Sequence, residues 1–136
     1  APQRSLFWHF PHYTNQGSRP CGAMREGGWT LVEYYDEERV ELYELGPDLS
    51  ETRNVAEQEP ARVAKMRAAL AAWRKSVNAQ ENKPNPNFDP AKFRELYIDV
   101  DASQFEPAKA NQADWEKMWQ WRKQMNAVAS GAGKGN

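Results

Sequence analysis

A chain of 136 residues can form one domain with a modest core, but not a large α/β hydrolase with a second domain beside it. Its formal net charge of -1 and pI near 6.2 argue against a nucleic-acid binder, which carries a clustered basic face. The longest apolar runs are a few residues, excluding a membrane-spanning helix, and the single cysteine, Cys21, excludes an internal disulfide.

Ala1 is not an initiator methionine, and residues 1–4 lack the charged-then-apolar pattern of a signal peptide. A strand-like run begins almost at once, at Leu6, so the chain is expected to be a fragment or a processed product. Residues 6–10 form a short aromatic strand stopped by Pro11, and residues 14–20 form a loop holding Gly17 and Pro20. Residues 23–26 and 29–35 flank Gly27 and Gly28, a two-residue hairpin signal, because tight turns need positive φ. After a turn at residues 36–38, residues 39–45 make a further strand. Residues 29–35 leave neither face purely polar, so one face is expected to meet a helix and the other something outside this chain.

Gly46 and Pro47 end the sheet, and residues 48–59 connect to a helix that Pro60 opens. Residues 61–77 carry an apolar stripe of Val63, Met66, Leu70, Trp73 and Val77 at helical spacing, backed by alanines. Burying each large member stabilises by roughly 1.5–3 kcal/mol. The expected fold class is α+β: a small antiparallel sheet of three or four strands packed on one long helix, with a C-terminal extension containing a second helix. The expected divisions are residues 1–80 for sheet plus helix, 81–95 for a Pro/Asn-rich linker, 96–129 for a helical extension and 130–136 for a mobile Gly-rich tail. Within these, residues 92–100 are ambiguous. Residues 111–127 form the second helix, with Trp115, Met118, Trp119, Arg122 and Met125 at helical spacing.

Few residues suggest chemistry. His9 and His12 are the only histidines; a metal site needs three or four ligands, and Pro11 breaks any helix that would align the pair. The bland reading is a strand end with aromatic packing; a second is a loop lining a pocket formed with another domain. No G-x-S-x-G elbow and no phosphate-cradling glycine loop is present. Trp115, Trp119 and Trp121 could offer a carbohydrate platform, but such spacing more often marks helix packing.

Three segments in order carry a family resemblance. They are Leu6-Phe7-Trp8-His9-Phe10-Pro11-His12-Tyr13; the hairpin from Ala23-Met24-Arg25 through Gly27-Gly28-Trp29-Thr30-Leu31; and Val40-Glu41-Leu42-Tyr43-Glu44-Leu45 followed by Asp48, Glu51 and Asn54. This series, with the alanine-rich helix and its Trp73, resembles the C-terminal subdomain of type I, formylglycine-dependent sulfatases of the arylsulfatase group, over residues 5–80. Thr30 stands where that group usually has lysine, and Leu49 where it has proline, which leaves the subfamily and substrate open.

The resemblance implies a parent enzyme that hydrolyses sulfate esters, with formylglycine and calcium in an N-terminal domain that would be this chain's partner. This chain would carry neither cofactor and no catalytic residue; it would close one side of the cleft. His9 and His12 are then candidates for the cleft rim, hydrogen bonding a sugar or aryl substituent, and Arg19 for an anionic group of a sulfated small molecule or carbohydrate. Cys21-Gly22-Ala23-Met24-Arg25 loosely matches the C-x-[PA]-x-R pattern of the formylglycine site. A working site opens a helix whose N-terminus binds the anionic sulfate, whereas a hairpin follows here, so a strand cysteine is expected. By analogy the parent is periplasmic or secreted, and a fragment exposing its domain-facing surface should self-associate. The alternatives are a stand-alone, non-catalytic binding or scaffold module reusing the fold, and a small intact enzyme, for which no catalytic set can be assembled.

Overall fold

A computed structural model describes residues 4–129; the expected tail at 130–136 lies outside the described residues. The order of elements is β1 (Leu6–Phe10), β2 (Cys21–Glu26), β3 (Trp29–Tyr34), β4 (Val40–Glu44), α1 (Pro60–Ser76), α2 (Pro90–Tyr97) and α3 (Gln112–Ala129). A short 3-10 turn, Ala102–Gln104, lies between α2 and α3. The fold is α+β, with a four-stranded antiparallel meander in the order β1-β2-β3-β4. The chain divides into two compact units: residues 1–12 with 20–82, and residues 13–19 with 83–136.

In the first unit the hairpin closes on the two glycines, with positive φ at the first of them only. Glu26 pairs with Trp29, and Gly27 takes φ +61. Strand alternation then sorts the residues into two faces. Phe7, Met24, Leu31 and Leu42 turn toward α1, where Met66 and Leu70 join them in a sealed core. Phe7 stacks on Trp73 with ring centroids 5.1 Å apart. Val63 and Trp73 are partly buried, but Val77, the expected end of the stripe, is 52% exposed. It is the C-cap of α1, and Asn78 turns left-handed at φ +51, so the helix stops before Val77 can swing inward.

The connection after β4 is held by side chains. Asp48 accepts from the backbone N–H groups of Thr52 (3.1 Å) and Arg53 (2.8 Å), the latter the stronger fix for a turn carrying Glu51 at φ +53. Asn54 Oδ1 accepts from the N–H groups of Leu42 and Ala56, both at 3.0 Å. Two residues of the quoted motif therefore serve the turn and the β4 edge.

The second unit has a smaller core of Leu96, Trp121 and Met125. The ambiguous stretch at 92–100 is mostly helical, because Asp89 caps α2, accepting from Ala91 N (2.9 Å) and Lys92 N (3.0 Å), and Pro90 fills its first position. This helix begins inside residues 81–95, the stretch expected to be an extended linker, while α3 is the helix expected in the extension. On α3 the buried residues are Trp121 and Met125, with Met118 partly buried beside them, while Trp115 and Trp119 stay exposed. Trp121 wins the inward position because its indole N–H finds the Leu96 carbonyl at 2.9 Å, so the ring is buried with its polar atom satisfied.

Candidate functional site

His9 lies on β1, in the first unit, and its ring is tied into that unit at both nitrogens. Its Nε2 lies 2.7 Å from the Gln80 carbonyl oxygen, which can only accept, so Nε2 donates. In the neutral ring Nδ1 is then the acceptor, and the Tyr35 hydroxyl donates to it at 2.8 Å. Tyr35 is in turn covered by Arg74, whose guanidinium sits 4.7 Å from the ring centroid. Burial pushes the Tyr35 hydroxyl above its ordinary pKa, against the pull of Arg74. Beyond it, Arg67 donates to Glu33 at 2.7 and 2.9 Å, and Arg74 Nη1 lies 3.9 Å from the same carboxylate.

This network depends on Gly22. A Cβ there would come within 2.1 Å of the Tyr35 hydroxyl oxygen and 3.2 Å of Leu70 Cδ2. The missing side chain on β2 is the slot through which Tyr35 reaches His9. Sequence reading singled out His9 without Tyr35 or Gly22; the only trace was a glycine inside a strand, a sign of close approach.

His12 is exposed and meets Phe10 edge-on, with centroids 5.5 Å apart. Arg19 belongs to the second unit. Its side chain is buried and its guanidinium lies 5.2 Å from the Phe93 ring centroid. Phe93 stacks on Tyr97 (5.7 Å), and Tyr13 meets Tyr97 edge-on at 4.9 Å, so Arg19 closes an aromatic cluster. His9 and His12 thus share a unit but not a hydrogen-bond partner, and Arg19 stands in the other unit.

Cys21 opens β2, not a helix. Burial pushes its thiol up, and the nearby carboxylates of Asp36 and Glu41 push the same way. A thiol held protonated is a poor nucleophile. Among the described residues, no group of three or more His, Cys, Asp or Glu is placed to hold a metal ion.

The sheet face turned away from α1 is the more distinctive surface. Pairing aligns Trp8, Ala23, Val32 and Glu41 in one row, Leu6, Arg25, Thr30 and Tyr43 in the next, and Phe10, Cys21 and Tyr34 in a third. Leu6, Trp8 and Phe10 are 40–50% exposed. At its far side the Glu41 carboxylate is only 12% exposed, paired with Arg39 and bonded by the Tyr34 hydroxyl at 3.4 Å. Arg39 also lies over the Tyr34 ring at 4.8 Å. Burial, reinforced by Glu41, pushes the Tyr43 hydroxyl up to about 12. An aromatic strip beside a neutralised ion pair is a surface suited to packing against protein rather than to catalysis.

The second unit also has an open depression of about 300 Å³, lined by Asp99, Phe105, Asp114 and Met118 among others; none of the three candidates lines it. No helix among the described residues is long and apolar enough to cross a membrane.

No family model matches the chain. A curated relative described as a sulfatase, from Formosa agariphila, is 32% identical over 87 residues, which is 57% of this chain and 16% of the relative. The chain therefore spans less than a fifth of the length of that relative. Part of this protein is a sulfatase-related segment.

Proposed function

We propose that this chain is the C-terminal subdomain of a formylglycine-dependent sulfatase of the arylsulfatase group, closing one side of the substrate cleft while nucleophile and calcium sit in an N-terminal domain outside it. The observation that carries this reading is the 32% identity to a sulfatase several times longer than the matched segment. The sheet-plus-helix unit supports it, and so does the face bearing Leu6, Trp8 and Phe10, a surface on which another domain could pack. The position of Cys21 on a strand, not at a helix N-terminus, supports a nucleophile elsewhere.

In this reading His12, exposed at the end of β1, is the rim residue placed to hydrogen bond a substrate substituent. His9 holds the strand through Tyr35 and Gln80 rather than touching substrate. Arg19 remains the candidate for an anionic group of a sulfated small molecule or carbohydrate. The parent is proposed to act in the periplasm or outside the cell.

The test is hydrolysis of a chromogenic aryl sulfate by the isolated chain and by Cys21→Ala. No turnover is expected in either. Turnover by the chain that vanishes in the variant would make Cys21 the nucleophile and overturn the proposal. Independently, the reading frame upstream of Ala1 is expected to encode a Cys/Ser-x-Pro-x-Arg site.

A further inference from the structure

The two edges of the sheet are treated differently. At β4 the outer edge is occupied: Leu42 N donates to Asn54 Oδ1 at 3.0 Å, and Val55 N donates to the Leu42 carbonyl at 2.9 Å. At β1 no backbone hydrogen bond joins the outer edge to any other described residue.

The groups that edge presents follow from the hairpin. A two-residue turn makes Glu26 and Trp29 a hydrogen-bonded pair, and antiparallel pairs alternate from there. Leu6, Trp8 and Phe10 therefore spend their backbone groups on β2, through Arg25, Ala23 and Cys21. Phe7 and His9 turn theirs outward.

We propose that β1 is a self-pairing edge, through which two copies of this chain join antiparallel about a two-fold axis at Trp8. Three features select a second copy as the occupant. First, Leu6–Phe10 contains no Lys, Asp, Glu or Pro, the residues that normally guard an open edge. Second, the strand is its own complement. With Trp8 opposite Trp8 of the second copy, Phe7 lies opposite His9, so each outward-facing residue meets another and exchanges both backbone bonds. Leu6 then lies opposite Phe10, and the tryptophans occupy the close, non-hydrogen-bonded position where side chains meet best. Third, the half-exposed side chains of Leu6, Trp8 and Phe10 all lie on one face, so pairing merges the two aromatic strips into one patch without bringing like charges together. His9 stays bonded to Tyr35 and Gln80, because its side chain is not part of the edge.

Light scattering behind size exclusion, at about 100 μM chain and so far above a micromolar dissociation constant, should give twice the 15.6 kDa of one chain. Trp8→Lys, with circular dichroism to confirm its fold, should return the mass to one chain. Thr30→Lys places the same charge on the same face two strands from the edge and should leave the dimer intact. Trp8→Cys on a Cys21→Ser background should form an intermolecular disulfide under mild oxidation, seen on a non-reducing gel. A monomeric native chain, the outcome if the edge pairs with a strand of another polypeptide, overturns the proposal. So does a dimer that survives Trp8→Lys, one lost in Thr30→Lys, which would mean face-to-face stacking, or a Trp8→Cys variant that does not cross-link.

Discussion

The first unit seals five residues, Met24, Leu31, Leu42, Met66 and Leu70, between a sheet and a helix; the second closes on three, Leu96, Trp121 and Met125. The first is almost continuous in the chain and draws its stability from repeating patterns. The second gathers residues 13–19 from between β1 and β2 and relies on individual polar ties. Arg122 donates to the Asn15 carbonyl at 2.8 Å, Asn15 donates to the Asn126 side chain at 2.7 Å, and Gly17 at φ +88 lies against Trp121. The larger core rests chiefly on shared packing, the smaller one on packing joined to single polar ties.

That contrast can be broken by changes graded in size, each followed by thermal melting and by hydrogen exchange at amides of its own unit. Leu31→Ala empties a fully buried site in the larger core and should cost about 2–5 kcal/mol. Gly22→Ala, which adds a single carbon, should cost about 1–3 kcal/mol, because Tyr35 must leave the slot and with it His9. Retention of full stability there would show that the His9–Tyr35 bond is dispensable. Trp121→Phe keeps most of the ring but strands the Leu96 carbonyl, and should cost about 1–3 kcal/mol in the second unit. If it costs less than a surface change, the second core is held by area alone.

Proton linkage gives the smaller effects. Tyr43 has its folded pKa raised from 10 to about 12, so the folded state keeps a proton that the unfolded chain gives up. Its contribution is complete below pH 10 and is lost as pH rises toward about 12. Tyr43→Phe should flatten alkaline unfolding in that window. At the acid end, the Lys65 side chain, bonded at 2.8 Å, holds the Glu26 carboxyl below its ordinary 4.5. A lowered carboxylate stabilises above its unfolded pKa, and that support fades as pH falls through the folded value. Lys65→Met should therefore soften the acid transition slightly, the pair being largely exposed.

The sheet and α1 were legible because their signals are local. Gly27-Gly28 between β-rich runs can close only as a tight hairpin, and Val63, Met66, Leu70 and Trp73 recur at helical spacing. The order of motifs likewise pointed to a sulfatase-related segment. The helix at Pro90–Tyr97 was harder to read, since eight residues carry too little periodicity and its start rests on the Asp89 cap. The choice of Trp121 over Trp119 was not legible at all: both fit a helix, and only the Leu96 carbonyl separates them.

Sequence alone therefore determined the strands, the long helices, the strand setting of Cys21 and the family likeness, because each depends on neighbours a few residues away. Tertiary structure decided which tryptophan is buried, that His9 is held by Tyr35 through the gap at Gly22, and that the outer edge of β4, unlike that of β1, is bonded by other described residues. Those outcomes depend on groups 12 to 71 positions apart in the chain, beyond the reach of any local pattern.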